Sequence, residues 1–472
     1  MDNVTLLFII ALLSGLYMSW SLGANDAANA IGTAVGSGAL TLKRAVIIAA
    51  SLEFCGAFFF GSNVSETVQK GIVKMDLFVD DPMLLVFGMI GALLAAGVWL
   101  QLASYKGWPV STTHSIVGAL VGFGLVIGGV NGIHWNKVAS IVISWVISPL
   151  MGGTISYIAF VSIRKKIFYS PHPLNAAKKT IPYIVFCMLT MLSSILLFRG
   201  LKNVNLDLSL LETAALALAI GLIGSIVIGF LIRRIKAPDS SDLPYQSPVA
   251  ATALRKALKH LQRMQIASKG DLNYQVSLVV DEAKALKEHI DYHDKNIGEH
   301  AHFAPVEKIF ASLQLITACF MAFAHGANDV ANAIGPLAAC VSVLSNGFVV
   351  GATEIPAWIL VLGGCGIIFG LGTWGWRVIE TIGKKITELT PSRGFAAEIG
   401  ASTTIVLASS FGLPVSTTHI LVGAIFGVGI ARGMSALNMG TIRDIVLSWF
   451  ITIPAGAALT IVFFYILKAI FG

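Results

Sequence analysis

Twelve apolar runs divide the chain into segments of about the length needed to cross a lipid bilayer. A membrane-spanning helix needs about 20 mostly apolar residues. The runs lie near residues 4–22, 44–61, 83–104, 115–130, 137–162, 181–198, 210–232, 308–325, 357–380, 395–411, 418–432 and 444–470. Two of them, 115–130 and 418–432, are short and suggest broken or re-entrant helices. The pattern predicts an all-α polytopic membrane protein with about twelve transmembrane helices.

The composition excludes several other classes of protein. Only 12% of the 472 residues are charged, whereas soluble proteins carry about 25%. This argues against a cytosolic enzyme and a nucleic-acid binder, and the net charge of +7 comes from basic residues in loops. The five cysteines all lie in apolar runs and show neither a disulfide framework nor metal-ligand spacing. We therefore expect no resident cofactor.

Basic clusters in the loops predict the orientation of the chain. Positive residues favour the cytoplasmic side, which places the clusters near 164–166 and 233–236 there, with both termini outside. The long hydrophilic segment 233–307 would then be a cytoplasmic loop, and its apolar spacing predicts amphipathic helices at 249–263 and 275–290. Residues 163–232 would form two linking transmembrane helices. The expected location is the plasma (inner) membrane.

An internal repeat relates the two ends of the chain, residues 1–162 and 308–472. GANDAANAIG at 23–32 recurs as GANDVANAIG at 326–335, and PVSTTH at 109–114 recurs at 414–419. The motif aspartates are 303 positions apart and the motif histidines 305. The second copy starts seven predicted spans after the first, an odd number, so the copies would face in opposite directions. Inverted repeats with a site near mid-membrane are typical of secondary transporters.

The first motif places polar groups inside an apolar run. An ionised Asp at the centre of a membrane span costs roughly 2.5–3.5 kcal/mol, so a duplicated Asp indicates function. Gly23 and Gly326 are expected to break the helix there and free backbone groups for ligands. Each Asn pair, four residues apart, shares one helical face. The candidate residues are Asn25, Asp26, Asn29, Asn328, Asp329 and Asn332.

The second motif predicts an anion-binding helix start. A proline can begin a helix, and hydroxyl-bearing residues in the first turn, beside free backbone amides, form a cradle for an anion. Two such cradles suit a tetrahedral oxyanion. The predicted anion ligands are Ser111, Thr112, Thr113, Ser416, Thr417 and Thr418, together with Asn29 and Asn332 of the first motif. His114 and His419 either support the cradle or sense pH.

The charges at this predicted site require a cation. Glu53 and Glu398 lie in apolar runs and are two further candidates for an ion path, while neither motif contains Lys or Arg. An anion would meet like charge in a low dielectric, which is strongly unfavourable. Positive ions must therefore accompany the anion. Sodium suits hard oxygen ligands, and protons on the carboxylates are the other option. The predicted cation ligands are Asp26, Asp329, Asn25, Asn328, Glu53 and Glu398.

These residues resemble the inorganic phosphate transporter family of phosphate permeases. The resemblance covers roughly 1–162 and 308–472 and includes TPSRGFAAEIG before the second PVSTTH motif. It implies twelve helices in inverted repeats, often a homodimer, and symport of phosphate with sodium or protons. By analogy, the family's essential acids match Asp26, Asp329, Glu53 and Glu398, and its phosphate site matches the two Ser-Thr-Thr triplets. The GAND form of the first motif favours sodium.

Several alternatives remain open at this stage. Within transporters, the coupling ion could be a proton and the cargo sulfate or a metal–phosphate complex. An anion channel is less favoured, because a duplicated inverted site is unusual for a pore. An intramembrane hydrolase using Asp26 and His114 is also disfavoured, because no set of nucleophile, base and orienting residue accompanies them. The sequence therefore predicts a transporter, not an enzyme.

Overall fold

A computed structural model describes residues 2–200, 209–235, 248–297, 299–349, 355–380, 388–433 and 437–472. Within these ranges the regular structure is helical, apart from one isolated antiparallel bridge between Val73 and Ile133. Residues 236–247 of the predicted cytoplasmic loop lie outside the described ranges.

The first 235 residues contain eight α-helices within the described ranges. They are α1 (Asn3–Gly36), α2 (Leu42–Phe60), α3 (Ser62–Lys70), α4 (Pro82–Tyr105), α5 (Thr112–Gly128), α6 (Trp135–Ile163), α7 (Pro173–Gly200) and α8 (Leu210–Arg233). Short 3-10 turns lie at Met75–Phe78 and Gly129–Gly132, and a π-helical turn follows α6 at Arg164–Phe168.

The remainder of the described chain contains nine more helices. They are α9 (Pro248–Ala267), α10 (Asp271–Ile297), α11 (Glu299–Asp329), α12 (Ala331–Asn346), α13 (Ala357–Trp374), α14 (Trp376–Glu380), α15 (Pro391–Ser410), α16 (Thr417–Arg432) and α17 (Met439–Phe471). The amphipathic segments predicted at 249–263 and 275–290 fall within α9 and α10.

The helices define an all-helical polytopic membrane protein. In the described ranges, nine helical segments are long and apolar enough to span a membrane, and Phe303–Asn346 counts as one of them. Every one of the twelve predicted runs falls on a helix, but the count of about twelve exceeds these nine. The difference comes from α2 and α15, which contain charged residues, and from α16, which has only 16 residues.

The predicted helix breaks at Gly23 and Gly326 are wrong. Helix α1 continues without interruption to Gly36, and α11 runs through Gly326 before it ends at Asp329. The glycines instead allow helices to cross closely: a Cβ at Gly23 would lie 2.1 Å from the carbonyl oxygen of Ile367, and one at Gly326 would lie 2.1 Å from that of Glu53. Small residues serve this purpose at helix contacts in membranes.

The chain forms two compact units, which are Met1–Phe160 with Met188–Ile220 and Phe310–Gly472, and Val161–Cys187 with Gly221–Ile309. In the first unit, α1 packs against α13, α4, α12 and α2, and α17 packs against α5 and α4. In the second unit, α9 and α10 pack through Leu258, Val276 and Val280. All candidate site residues belong to the first unit.

Candidate functional site

The first asparagine of each GAND motif fixes its helix to a neighbouring helix end. Asn25 donates to the hydroxyl of Ser104 at 3.0 Å and to the carbonyl four residues further on at 3.2 Å. Asn328 makes the matching bonds, to Ser409 at 2.9 Å and to the carbonyl four residues beyond it at 3.1 Å. The two copies of the motif therefore have the same local anchoring.

The serine of each PVSTTH motif caps the helix that follows it. Ser111 Oγ accepts from the backbone N–H of His114 at 3.1 Å, and Ser416 Oγ accepts from that of His419 at 3.2 Å. Both helices begin one residue after the capping serine. The prediction that the proline begins the helix is wrong, since it lies two residues before the cap. The free amides expected at a helix start are nevertheless those of the Thr-Thr pair.

The two motif types meet across the copies. In each copy of the first motif, the side-chain amide of the second asparagine donates to the threonines of the PVSTTH motif in the other copy. The bonds join Asn29 to Thr417 at 3.3 Å and Thr418 at 2.8 Å, and Asn332 to Thr112 and Thr113, both at 3.3 Å. Further bonds join Thr113 to the carbonyl of Val415 at 2.9 Å and Thr418 to that of Val110 at 3.3 Å. Residues some 200 to 390 positions apart in sequence thus form one buried cluster.

The motif aspartates lie in the same buried cluster. Asp26 accepts from Asn29 Nδ2 at 3.0 Å, and Asp329 accepts from the hydroxyl of Thr417 at 2.5 Å. Both carboxylates are essentially inaccessible to solvent. The structure therefore brings two of the predicted cation ligands, Asp26 and Asp329, into direct contact with predicted anion ligands.

A histidine that the sequence argument missed lies among the acids. The imidazole of His325 is fully buried, with Nε2 2.9 Å from an oxygen of Asp329 and 3.8 Å from one of Asp26, and Nδ1 3.2 Å from Glu53. The available signal was its position directly before Gly326, which places it one helical turn before Asp329. The first copy has Leu22 at the corresponding position, so the repeat concealed this residue.

Glu398 has a separate environment from the other acids. Its carboxylate is fully buried and accepts from Thr33 at 2.6 Å, from Gln314 at 3.1 Å and from the hydroxyl of Thr317. In the described part of the chain, its side-chain hydrogen bonds go to these hydroxyl and amide groups and not to His325. The predicted grouping of Glu398 with the motif aspartates is therefore not seen as direct contact.

The site has an excess of hydrogen-bond acceptors. Among the residues whose burial is described, the buried ionisable side chains of this site are acids and histidines, with no lysine or arginine. Buried oxygens that make no hydrogen bond in these ranges occur once each in Asn25, Asn328, Asn332, Asp26 and Asp329. Glu53 adds a further such oxygen, besides the one that lies within ion-pair distance of His325. A buried acceptor without a donor costs about 1–3 kcal/mol. Positive ions are the groups that would satisfy several such oxygens together.

The two motif histidines pack in an aromatic cluster beside the threonines. The ring of His114 lies 3.7 Å from that of Trp145, His419 lies 3.5 Å from Trp449, and the two imidazole centres are 4.3 Å apart. Both histidines are buried. Their ring contacts support the start of α5 and α16, where the threonines are presented.

Fold and site together define a class. Polar and ionisable residues inside membrane helices mark paths for ions or substrates. Here they converge from two copies of two motifs, within an all-helical polytopic membrane protein. The molecule is a membrane transport protein.

Comparison with known proteins gives the family. Residues 22–460 match the phosphate transporter family. A Chlamydia pneumoniae protein named as a phosphate permease is 46% identical over 98% of this chain and 99% of its own length. The chloroplastic inorganic phosphate transporter 2-1 of Arabidopsis thaliana is 44% identical, over 98% of this chain and 73% of its own.

A solved structure is also similar. The sodium-dependent phosphate transporter has a TM-score of 0.79 and 38% identity, over 98% of this chain and 99% of that chain. The chain belongs to the phosphate transporter family, as the motifs indicated, and it is a transporter rather than an enzyme.

Proposed function

We propose that the chain carries inorganic phosphate across the membrane together with sodium ions. Its two motif copies would form inverted repeats, and alternating access would expose the shared site to each side in turn. The observation that carries the proposal is that unpaired carboxylate and amide oxygens lie buried beside the two helix starts of the predicted anion cradle.

The threonine pairs would bind phosphate. Thr112, Thr113, Thr417 and Thr418 lie at the free amides of two helix starts, with Asn29 and Asn332 next to them. The hydroxyls of Thr113, Thr417 and Thr418 would turn from their present acceptors to donate to phosphate. A helix N-terminus contributes about half a positive charge. Ser111 and Ser416 use one lone pair for capping and keep their hydroxyl proton for a phosphate oxygen.

Sodium would neutralise the acids. Asp26, Asp329 and Glu53 together carry up to three negative charges, and His325 supplies at most one positive charge against them. The unpaired amide oxygens of Asn25 and Asn328 are hard ligands of the kind that sodium prefers. Glu398, held by hydroxyl and amide donors, would belong to an ion path beside the main site. The match to a sodium-dependent transporter supports sodium over protons.

The remaining elements of the proposal concern assembly and orientation. We propose twelve membrane crossings, both termini outside, the 233–307 loop in the cytoplasm, residence in the plasma (inner) membrane, and a homodimer. The basic loop clusters support the orientation.

Uptake of radiolabelled phosphate into proteoliposomes tests the function. An inward sodium gradient should accelerate uptake, excess sulfate should not compete, and Asp26→Asn and Asp329→Asn should each reduce sodium-driven uptake at least tenfold. Asp444→Asn, at an exposed acid, is the matched control and should retain uptake. If uptake does not depend on sodium and is abolished by a protonophore, the coupling ion is the proton and not sodium. Full sodium dependence in both motif variants would refute the cation assignment.

A further inference from the structure

A groove in the second unit has the character of a lipid site. It lies between α7 and α8, with a volume of about 780 Å³, and is lined by Lys178, Lys179, Pro182, Tyr183, Ser225, Ile226, Gly229, Phe230 and Arg233. The lining contains three basic residues and no acid. Nothing in the transport mechanism uses it.

The basic residues gather at one end of the groove. Lys178 and Lys179 lie near the start of α7, and Arg233 is the last residue of α8. Lys178 Nζ donates to the backbone carbonyl of Arg233 at 3.4 Å, which joins the two helix ends. The one acid of α8, Glu212, lies in its first turn, at the opposite end of that helix. The positive charge therefore has no acid beside it within the groove.

The rest of the groove is apolar and exposed. Tyr183, Ile226 and Phe230 expose 74%, 62% and 59% of their surface, and all three lie on helices long and apolar enough to span the membrane. Charged ends of such helices lie at the membrane–water interface. The groove thus places three cations at headgroup level above a surface that suits acyl chains.

We propose that this groove binds an anionic phospholipid. Its phosphate would lie between the ammonium groups of Lys178 and Lys179 and the guanidinium of Arg233, and its chains would cover Ile226 and Phe230. Basic pockets between transmembrane helices bind anionic headgroups in this way. The charge complementarity favours a lipid over a second copy of the chain, since two such faces would repel each other.

Native mass spectrometry of the full-length protein tests the proposal. Phosphatidylglycerol and phosphatidylcholine with the same acyl chains are titrated onto the wild type and onto the triple variant Lys178→Gln, Lys179→Gln, Arg233→Gln. Each charge should contribute roughly fivefold to affinity, so the triple variant should bind phosphatidylglycerol on the order of a hundredfold more weakly. Binding of phosphatidylcholine should not change.

Matched controls distinguish a bound lipid from the other possible occupants of the groove, a soluble anion and a second copy of the chain. The variant Lys256→Gln, Lys259→Gln, Arg263→Gln removes the same charge from exposed positions on α9 and should bind phosphatidylglycerol like the wild type. Equal loss in both triple variants would refute a defined site. Displacement of the lipid by millimolar inorganic phosphate would assign the groove to a soluble anion. Loss of dimers without loss of lipid would assign it to a second copy, and either result would overturn the proposal.

Discussion

The contact between Glu53 and His325 can be tested by replacing both side chains with the residues found at the equivalent helix crossing of the other repeat. At the crossing of α2 and α11, Glu53 lies beside His325, while the corresponding crossing of α13 and α1 has Ile367 and Leu22 at these positions. The substitutions Glu53→Ile and His325→Leu would transfer the apolar pair from one crossing to the other. We expect His325→Leu to be strongly destabilising, Glu53→Ile to cost less because His325 keeps its contact with Asp329, and the double variant to be more stable than the sum of the two single costs would make it.

The size of the expected loss in unfolding free energy follows from the burial of the two side chains. Both side chains are completely inaccessible to solvent, and Nδ1 lies 3.2 Å from the carboxylate. Removing one partner of a buried ion pair leaves the other uncompensated and costs about 3–5 kcal/mol, whereas replacing both by apolar residues is often neutral. His325→Leu should be the more damaging single change, because Glu53, Asp26 and Asp329 all lose their basic neighbour. Adding Glu53→Ile removes one of these three uncompensated acids, so the double variant should recover part of the cost and not all of it. The coupling energy of the cycle should be about 2–3 kcal/mol.

Unfolding of the purified protein in detergent, followed by tryptophan fluorescence, measures this cycle. The wild type, both single variants and the double variant are compared at one pH and one sodium concentration. If the losses in unfolding free energy of the two single variants add up to that of the double variant within about 0.5 kcal/mol, the two side chains act independently. That result would refute the reasoning from their contact.

Three further predictions concern the helices that carry the motifs. Gly23→Ala should destabilise the fold by about 1–3 kcal/mol through its clash with a carbonyl, while Gly372→Ala, with open space around it, should not; thermal unfolding compares them, and equal curves would contradict a close crossing. Ser111→Ala should cost about 1 kcal/mol by loss of a cap and Ser111→Asn should recover most of it, again by thermal unfolding; no recovery would disprove capping. Thr418→Val removes the acceptor for Asn29 and the donor to a backbone carbonyl, so it should raise the KM for phosphate uptake at least fivefold, and an unchanged KM would remove this threonine from the phosphate site.

The duplicated motifs made much of the site predictable. Polar residues that recur at matched positions in apolar helices indicate a shared site, and the structure joins Asn29 and Asn332 to the threonines of the opposite copies as one cluster. The family assignment followed from the same residues. The exact pairing was not predictable, because it depends on how helices hundreds of residues apart cross.

Features without a counterpart in the repeat were harder to predict. His325 has a leucine at its matched position, and Glu53 an isoleucine, so comparison of the copies gave no support to either residue. Gly23 in an apolar run fits a helix break and a close helix crossing equally well. The carbonyl of Ile367, 2.1 Å from where a Cβ at Gly23 would lie, distinguishes the two. The partners of Glu398 come from α1 and α11, which no local pattern links to α15.

The hydrogen bonds of Asn29 and Asn332 to the opposite threonines constrain how this molecule can move. Each bond holds a residue of one copy against a residue of the other, in a region sealed from solvent. Any motion that separates the two repeats must leave these amides and hydroxyls without hydrogen-bond partners unless water or the transported ions take their place. Loading and unloading of the site would therefore be inseparable from wetting it.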